Sequence, residues 1–246
     1  MVNPNERIYA IAIAVFLLIL QQMFTDDTRG KIENITAGVI LKGEADHCTA
    51  ARNLLCQRYP TSTTVKKDFE GQAIFKKEQA KYLEQFSKQS GLWIEQLPDE
   101  QTFLTRGGEA RVYLDKDNRH VIKLNDAVYY ATWLEFLNSI LLHNLVFPNT
   151  TYQLMGFAKD ADILLAVLRQ PFIISDSPAE LNDIKSLLEY NGFENTRRHD
   201  YEHKQLCLIL EDMHDENVLV NSETLFFIDT VFYTVNAERS IMNREQ

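Results

Sequence analysis

From Thr102 to Arg169 the sequence reads as three short strands, one long helix and two more strands, joined by separators too short for parallel pairing. Thr102–Thr105, Ala110–Leu114 and His120–Leu124 are split by Arg106-Gly107-Gly108-Glu109 and by Asp115-Lys116-Asp117-Asn118. Tyr152–Lys159 and Ile163–Arg169 are split at Asp160-Ala161-Asp162. A parallel neighbour needs a crossover of about a dozen residues or more, whereas Gly, Asp and Asn at such breaks suit tight hairpins. Between the two groups, Asp126 offers a cap for a helix that runs to about Leu145 and stops before Pro148. The fold class that follows is α+β, with an antiparallel sheet and one main helix packed on it. Leu92–Leu97 adds a further short apolar segment ahead of the sheet.

Residues 1–90 have helical spacing instead. Asp27–Ile40 and Glu44–Arg58 carry it, and Tyr59-Pro60 followed by Thr61-Ser62-Thr63-Thr64 reads as a break. Phe69–Gln89 is a long polar helix with Phe75, Gln79, Tyr82, Leu83 and Phe86 along one stripe, ended by Ser90-Gly91. The division expected is therefore a helical region over 1–90 and a mixed domain over 91–246. Near the N-terminus Ile8–Leu20 is unbroken apolar sequence, short of the roughly 20 residues a spanning helix needs. Gln21-Gln22 and the acidic TDDTRG that follows favour a buried helix over a signal peptide, and a cytoplasmic protein over one tethered to a membrane through Ile8 to Phe24. Both alternatives stay open.

Beyond Gln170-Pro171-Phe172 a helix is expected over Pro178–Tyr190, closed by Asn191-Gly192. Arg197–Tyr201, Gln205–Leu210, Val218–Val220 and Leu225–Ile228 are short and strand-like. A net charge of -10 argues against nucleic acid as a partner, because phosphate backbones are met by basic faces. The 3 cysteines form no C-x-x-C pair, so neither a zinc site nor a disulfide framework is indicated.

Three stretches carry chemical interest. Gly107-Gly108, at a hairpin tip, lets backbone N–H groups approach phosphate oxygens, although the same pair also makes an ordinary turn. Lys123 stands inside an apolar strand, where an ammonium needs an anionic partner unless its strand face is exposed. Glu135 is the candidate carboxylate, since Ala131, Thr132, Asn138 and Ser139 give its helix face a small, polar character. The third stretch is Asp212-Met213-His214-Asp215-Glu216-Asn217-Val218-Leu219, followed after an apolar segment by Ile228-Asp229-Thr230. Asp212, Asn217 and Asp229 offer a base and hard oxygen ligands of the kind magnesium takes.

The order of these parts is the stronger signal. A glycine hairpin, a strand lysine, a helix glutamate, a D-x-H-x-x-N loop and a strand-terminal Asp occur in the sequence used for phosphoryl transfer from ATP. From about residue 91 to 234 the chain resembles the protein-kinase-like superfamily. Its D-x-H-x-x-N loop is similar to that of aminoglycoside and choline kinases. Closest is the resemblance to reduced "polyvalent" protein-kinase-like domains of bacterial mobile elements and phages. This implies an N-lobe over about 91–170 and a minimal C-lobe over about 171–246. It also implies ATP and Mg2+ as cofactors and transfer to an unidentified hydroxyl acceptor. By resemblance Gly107 and Gly108 cover the phosphates, and Lys123 holds the α- and β-phosphates with Glu135 fixing it. Asp212 serves the attacking hydroxyl, and Asn217 and Asp229 hold metal. Adenine lies between Val112 and Leu219 with Leu168 behind it, and the backbone of Gln170 to Phe172 contacts its edge. His214 is read as a supporting residue.

The departures from that pattern are specific. The glycine loop lacks a third glycine, and Asp229 is followed by Thr230-Val231, so a mobile activation segment is not expected. The stretch from Ile173 to Glu211 is short for the long helix that normally precedes the catalytic loop. Completion of the C-lobe by the N-terminal helices or by a protein partner is the expectation. A catalytically inactive nucleotide-binding or docking module of a mobile-element protein is the alternative function.

Overall fold

The computed structural model describes residues 24–43, 46–59, 69–108 and 110–235. The apolar run Ile8–Leu20, the break at Thr61–Thr64 and Glu109 lie outside the described residues. Among the described residues no helix is long and apolar enough to cross a membrane.

Three helices come first: α1 (Asp26–Thr36), α2 (His47–Arg58) and α3 (Phe69–Gln89). Thr25 and Asp46 start α1 and α2, each side-chain oxygen taking a backbone N–H of the first turn. On α3 the buried line is Gln79, Leu83 and Ser87, at helical spacing, while Phe75 stays exposed and meets the Tyr59 ring edge-on. The segment Leu92–Leu97 forms no strand. It makes one isolated bridge, Trp93 to Phe157, where a Cβ at Gly156 would fall 2.0 Å from the Leu92 carbonyl oxygen. Only glycine lets the two backbones come that close.

The main sheet contains β1 (Phe103–Arg106), β2 (Ala110–Leu114), β3 (His120–Asn125), β4 (Gln153–Asp160) and β5 (Ile163–Pro171), in the order β1-β2-β3-β5-β4, all antiparallel. The helix α4 (Trp133–Val146) begins later than Asp126 predicts. Thr132 is its cap: Glu135 N–H donates to Thr132 Oγ1 at 3.2 Å and Thr132 N–H donates to Glu135 Oε2 at 3.1 Å. The Thr-Trp-Leu-Glu spacing is a capping box, which outcompetes a lone aspartate. Asp126 instead turns back on the Val128 N–H, and Ala127 sits at φ 57.

Helix α4 is buried nearly all round because α1, α2 and α3 and the strand Val231–Thr234 all pack against it. Its buried polar residues, Glu135, Ser139 and His143, recur every four positions and so share one line of the helix. Arg52, with no exposed surface, joins the helical region to this core. It donates to Ile35 O at 3.2 Å, Val39 O at 2.6 Å and Asn138 Oδ1 at 2.8 Å.

The remaining part is built from α5 (Leu181–Tyr190), β6 (Glu194–Arg197), β7 (Asp200–His203), β8 (Leu208–Glu211), β9 (Val218–Asn221), β10 (Thr224–Phe227) and β11 (Val231–Thr234). Four strands form one sheet, β11-β8-β7-β6, and β9 pairs with β10 in a hairpin. Arg197–Tyr201, expected as one strand, is the turn of the β6–β7 hairpin, with Arg198 at φ 50. That hairpin and α5 occupy the stretch before the Asp212–Asn217 loop, where no long helix forms. β11 was not expected: its four residues begin two positions after Asp229 and pair with β8. One buried cluster runs from Phe24, Ile32 and Leu55 through Leu137 and Leu168 to Leu210 and Phe232, so the helices share the core of the rest. Phe24 reaches the C-lobe sheet itself, edge-on to His203 at 5.6 Å.

Candidate active site

Register places three of the sequence-selected residues side by side. Val112 pairs with Lys123, and Lys123 pairs with Leu168, so the three form one row across β2, β3 and β5. Paired residues on neighbouring antiparallel strands share a face, and here it is the face toward α4, since Leu168 belongs to the main core. Tyr113, Leu124 and Val167 form a separate small core on the other face.

Lys123 is 5 % exposed, and the lysine has the partners such burial demands. Its Nζ donates to Ile228 O at 2.8 Å and to the Tyr152 hydroxyl at 3.4 Å, and stands 3.7 Å from Asp229 Oδ1. Tyr152 in turn donates to Ile228 O at 2.7 Å. Lys123 and Glu135 are not brought together in this state. Glu135 is spent on the capping box and lies near the ammonium of Lys76 on α3, which donates to Ala127 O at 2.6 Å and Tyr130 O at 2.9 Å. Burial pulls the Lys76 amine below its usual range, and the charges of Asp126 and Glu135 oppose that shift.

The loop from Asp212 to Asn217 is held by its own side chains. Asn217 Nδ2 donates to Asp212 O at 2.9 Å, and to Asp212 Oδ2 at 3.3 Å. A carbonyl can only accept, so the amide orientation is fixed and Asn217 Oδ1 is left for another ligand. Asp212 sits at φ 66, a left-handed backbone conformation that is uncommon for a residue with a Cβ. His214 Nε2 lies 3.3 Å from Asp212 Oδ1, and its Nδ1 accepts the Glu216 N–H, which gives it a loop-supporting position. Ile228 N–H donates to Asn217 O at 3.0 Å, continuing the β9–β10 ladder and setting Asp229 next to the loop. The Lys123 ammonium thus meets the Asp229 carboxylate beside the loop that carries Asp212 and Asn217.

The residue after Asp229 is clamped by α4. His143 is fully buried, and burial pushes its imidazole down to about 3, so it is neutral. Its Nε2 lies 2.9 Å from Thr150 O, an obligatory acceptor, so the single proton is on Nε2. Nδ1 therefore accepts the Thr230 hydroxyl at 2.7 Å. One turn earlier, Ser139 Oγ accepts the Phe232 N–H at 2.9 Å. The polar line of α4 is therefore a mount for β11.

Around the row of Val112, Lys123 and Leu168 the expected adenine contacts divide. Val112 and Leu219 are half-buried and belong to neither core cluster, as lining residues of an open cleft would. Gln170 turns its side chain inward, onto Thr150 O at 2.8 Å. Phe172 N–H is taken by Arg119 O at 2.8 Å, leaving the Ile173 N–H as the nearest donor without an acceptor among the described residues. Gly107 and Gly108 lie at the β1–β2 tip, closed by Gly107 N–H to Ala110 O at 3.0 Å. A cavity of about 880 Å³ lined by His47, Asn144, Tyr152 and Leu154 lies elsewhere and includes none of Lys123, Asp212, Asn217 or Asp229.

Residues 76–236 match a family described as a serine/threonine/tyrosine kinase found in polyvalent proteins. The chain belongs to that family and is a kinase-like protein of mixed α+β fold. The match begins inside α3, so Lys76, Gln79 and the rest of that helix to Gln89 fall within it. No curated protein and no solved structure matches the chain.

The sequence reading missed Tyr152 and Lys76. Tyr152 carries no local signal, because a tyrosine opening a strand is ordinary. Lys76 stands in a polar helix among other charged residues, and only the packing of α3 on the β3–α4 loop distinguishes it. His143 and Thr230 gave no motif.

Proposed function

We propose that the chain is an ATP- and magnesium-dependent phosphotransferase acting on a hydroxyl acceptor. The observation that carries this reading is the meeting of Lys123 with Asp229 beside the Asp212–Asn217 loop. Family membership supports a nucleotide and a divalent ion in general, and the donor set fits them. Asp229 is 38 % exposed on its side chain, Asn217 Oδ1 accepts no hydrogen bond among the described residues, and both are hard oxygen donors. Magnesium, when bound, would supply charge neutralisation for the phosphates.

The roles follow from position. Lys123 would exchange its contact with Asp229 for phosphate oxygens, while Ile228 O keeps hold of the ammonium. Asn217 and Asp229 would hold the metal. Asp212 would accept the proton of the acceptor hydroxyl, or orient it. Val112, Leu168 and Leu219 would enclose the base, and Gly107 and Gly108 would present N–H groups to the phosphates. Glu135 would act by holding the first turn of α4, through Thr132, unless the helix shifts toward Lys123.

A docking module without catalysis is the second reading. The observation favouring it is that Lys123 already has a full set of protein partners, with none left for Glu135. Thermal shift of the full chain with ATP and magnesium separates the two. Stabilisation that disappears in Lys123→Met and in Asp229→Asn supports a competent site. The enzyme reading is abandoned if millimolar Mg·ATP leaves the melting temperature of the wild type unmoved. Phosphate transfer that is lost in Asp212→Ala, with nucleotide binding retained, would then assign catalysis.

A further inference from the structure

The β3–α4 loop forms a strut tied to two other parts of the fold. Tyr129, in its middle, is tied to the C-lobe, because the Tyr233 hydroxyl on β11 donates to Tyr129 O at 3.1 Å. The same loop is tied to α3 through Lys76, on either side of Tyr129, at Ala127 O and Tyr130 O. The Tyr129 side chain reaches the other rim. A Cβ added at Gly108 would fall 2.3 Å from the Tyr129 hydroxyl and 3.2 Å from the ring carbon that bears it. The hydroxyl makes no hydrogen bond among the described residues, and Tyr129 is 49 % exposed. A large, half-exposed aromatic is therefore held in place by its backbone, with its tip against the hairpin that carries Gly107 and Gly108.

We propose that Tyr129 is a gate on the phosphate end of the cleft. It links the glycine hairpin to the C-lobe, so the hairpin cannot rise or settle without Tyr129 swinging out. The physical basis is anchorage: three backbone carbonyls of the loop are held from outside it, which leaves side-chain rotation of Tyr129 as the available motion. A side chain at position 108 would take the place of the tyrosine hydroxyl and push Tyr129 aside. The consequence for nucleotide exchange rests on the function proposed above. Gating slows entry and release together, since both use the same opening.

Two measurements on the full chain decide this. The first is hydrogen–deuterium exchange without nucleotide, which reads the strut alone. Tyr129→Ala and Gly108→Ala should each raise amide exchange in the peptide covering 103–114 several-fold, and the double variant should exceed neither. Tyr129→Phe, which keeps the ring, should give a smaller rise. Wild-type protection in Tyr129→Ala, or additive effects in the double variant, overturns the strut. The second is stopped-flow with a fluorescent ADP and magnesium. Association and dissociation rates should both rise about tenfold in Tyr129→Ala, with Kd changing less than about threefold. A rise in dissociation alone would mean that Tyr129 touches the nucleotide, and would overturn the gate. If no nucleotide binds to the wild type, the function proposed above fails while the exchange result still decides the strut.

Discussion

Lys123 Nζ stands 3.7 Å from Asp229 Oδ1 and donates to the carbonyl of the residue before it, Ile228, at 2.8 Å. One ammonium therefore holds both the side chain and the backbone at the end of β10, and Tyr152 reinforces the second contact. The two sheets are joined at the point where the candidate metal ligand is presented.

Replacing Lys123 by Met should separate binding from stability. Methionine fills a similar volume and needs no partner, and Ile228 O keeps the Tyr152 hydroxyl. The unfolding free energy should change by no more than about 2 kcal/mol, while nucleotide-dependent stabilisation is lost. Chemical denaturation with and without Mg·ATP measures both. A larger loss without nucleotide would show that Lys123 is chiefly structural.

Lys76→Ala should cost about 1–3 kcal/mol, because it takes the ammonium away from two loop carbonyls, of which Ala127 O keeps the Tyr130 N–H. Gln79 adds to the same clamp, its Oε1 accepting the Leu134 N–H at the start of α4. A chain that begins at Gly91 loses both residues along with Leu83 and bares the apolar flank of α4. It should fail to give a cooperative melt, and folding of that shorter chain with native near-ultraviolet dichroism would refute the integration of α3.

His143 predicts an acid sensitivity of known sign. Burial holds its folded value at about 3, below the ordinary 6.5. The unfolded state thus takes up a proton that the folded state refuses, as pH falls below 6.5. Stability is fully present above that value and declines by up to about 1.4 kcal/mol per pH unit on the way down to about 3. His143→Gln should flatten the slope between pH 6.5 and 5, before carboxylates dominate. Parallel denaturant titrations at those two pH values test it, and an unchanged slope in the variant would exclude His143 as its source.

Arg52→Met should destabilise the chain by about 2–4 kcal/mol. It frees the carbonyls of Ile35 and Val39 and the Asn138 amide oxygen from their shared donor, all close to the core. The melting temperature is the readout. A loss much below 1 kcal/mol would mean water replaces the guanidinium at the end of α1.

Much of the architecture was legible in local pattern. The ends of Phe69–Gln89 and Ala110–Leu114 are given by periodicity and by flanking glycines, and the hairpin turns by their Gly, Asp and Asn content. The start of α4 was misplaced because Asp126 satisfies a capping rule locally, whereas Thr132 with Glu135 satisfies it twice. β11 was not readable, because four residues following an aspartate have no period to detect. The strand exists because β8 offers it a ladder. In the candidate site, Lys123, Asp212, Asn217 and Asp229 were legible as residue types in a given order. Tyr152, Lys76 and His143 were not, since each acts through a neighbour distant in sequence.

By itself the sequence determined which chemical groups are present, their order, and the alternation of faces along each strand. Side-chain direction along a strand is a property of the strand alone. Tertiary structure decided the pairing. Whether Lys123 meets Glu135 or Asp229 depends on where α4 and β10 dock against β3. That docking is fixed by the burial of α4 between two layers, a sum over many contacts that no single segment encodes.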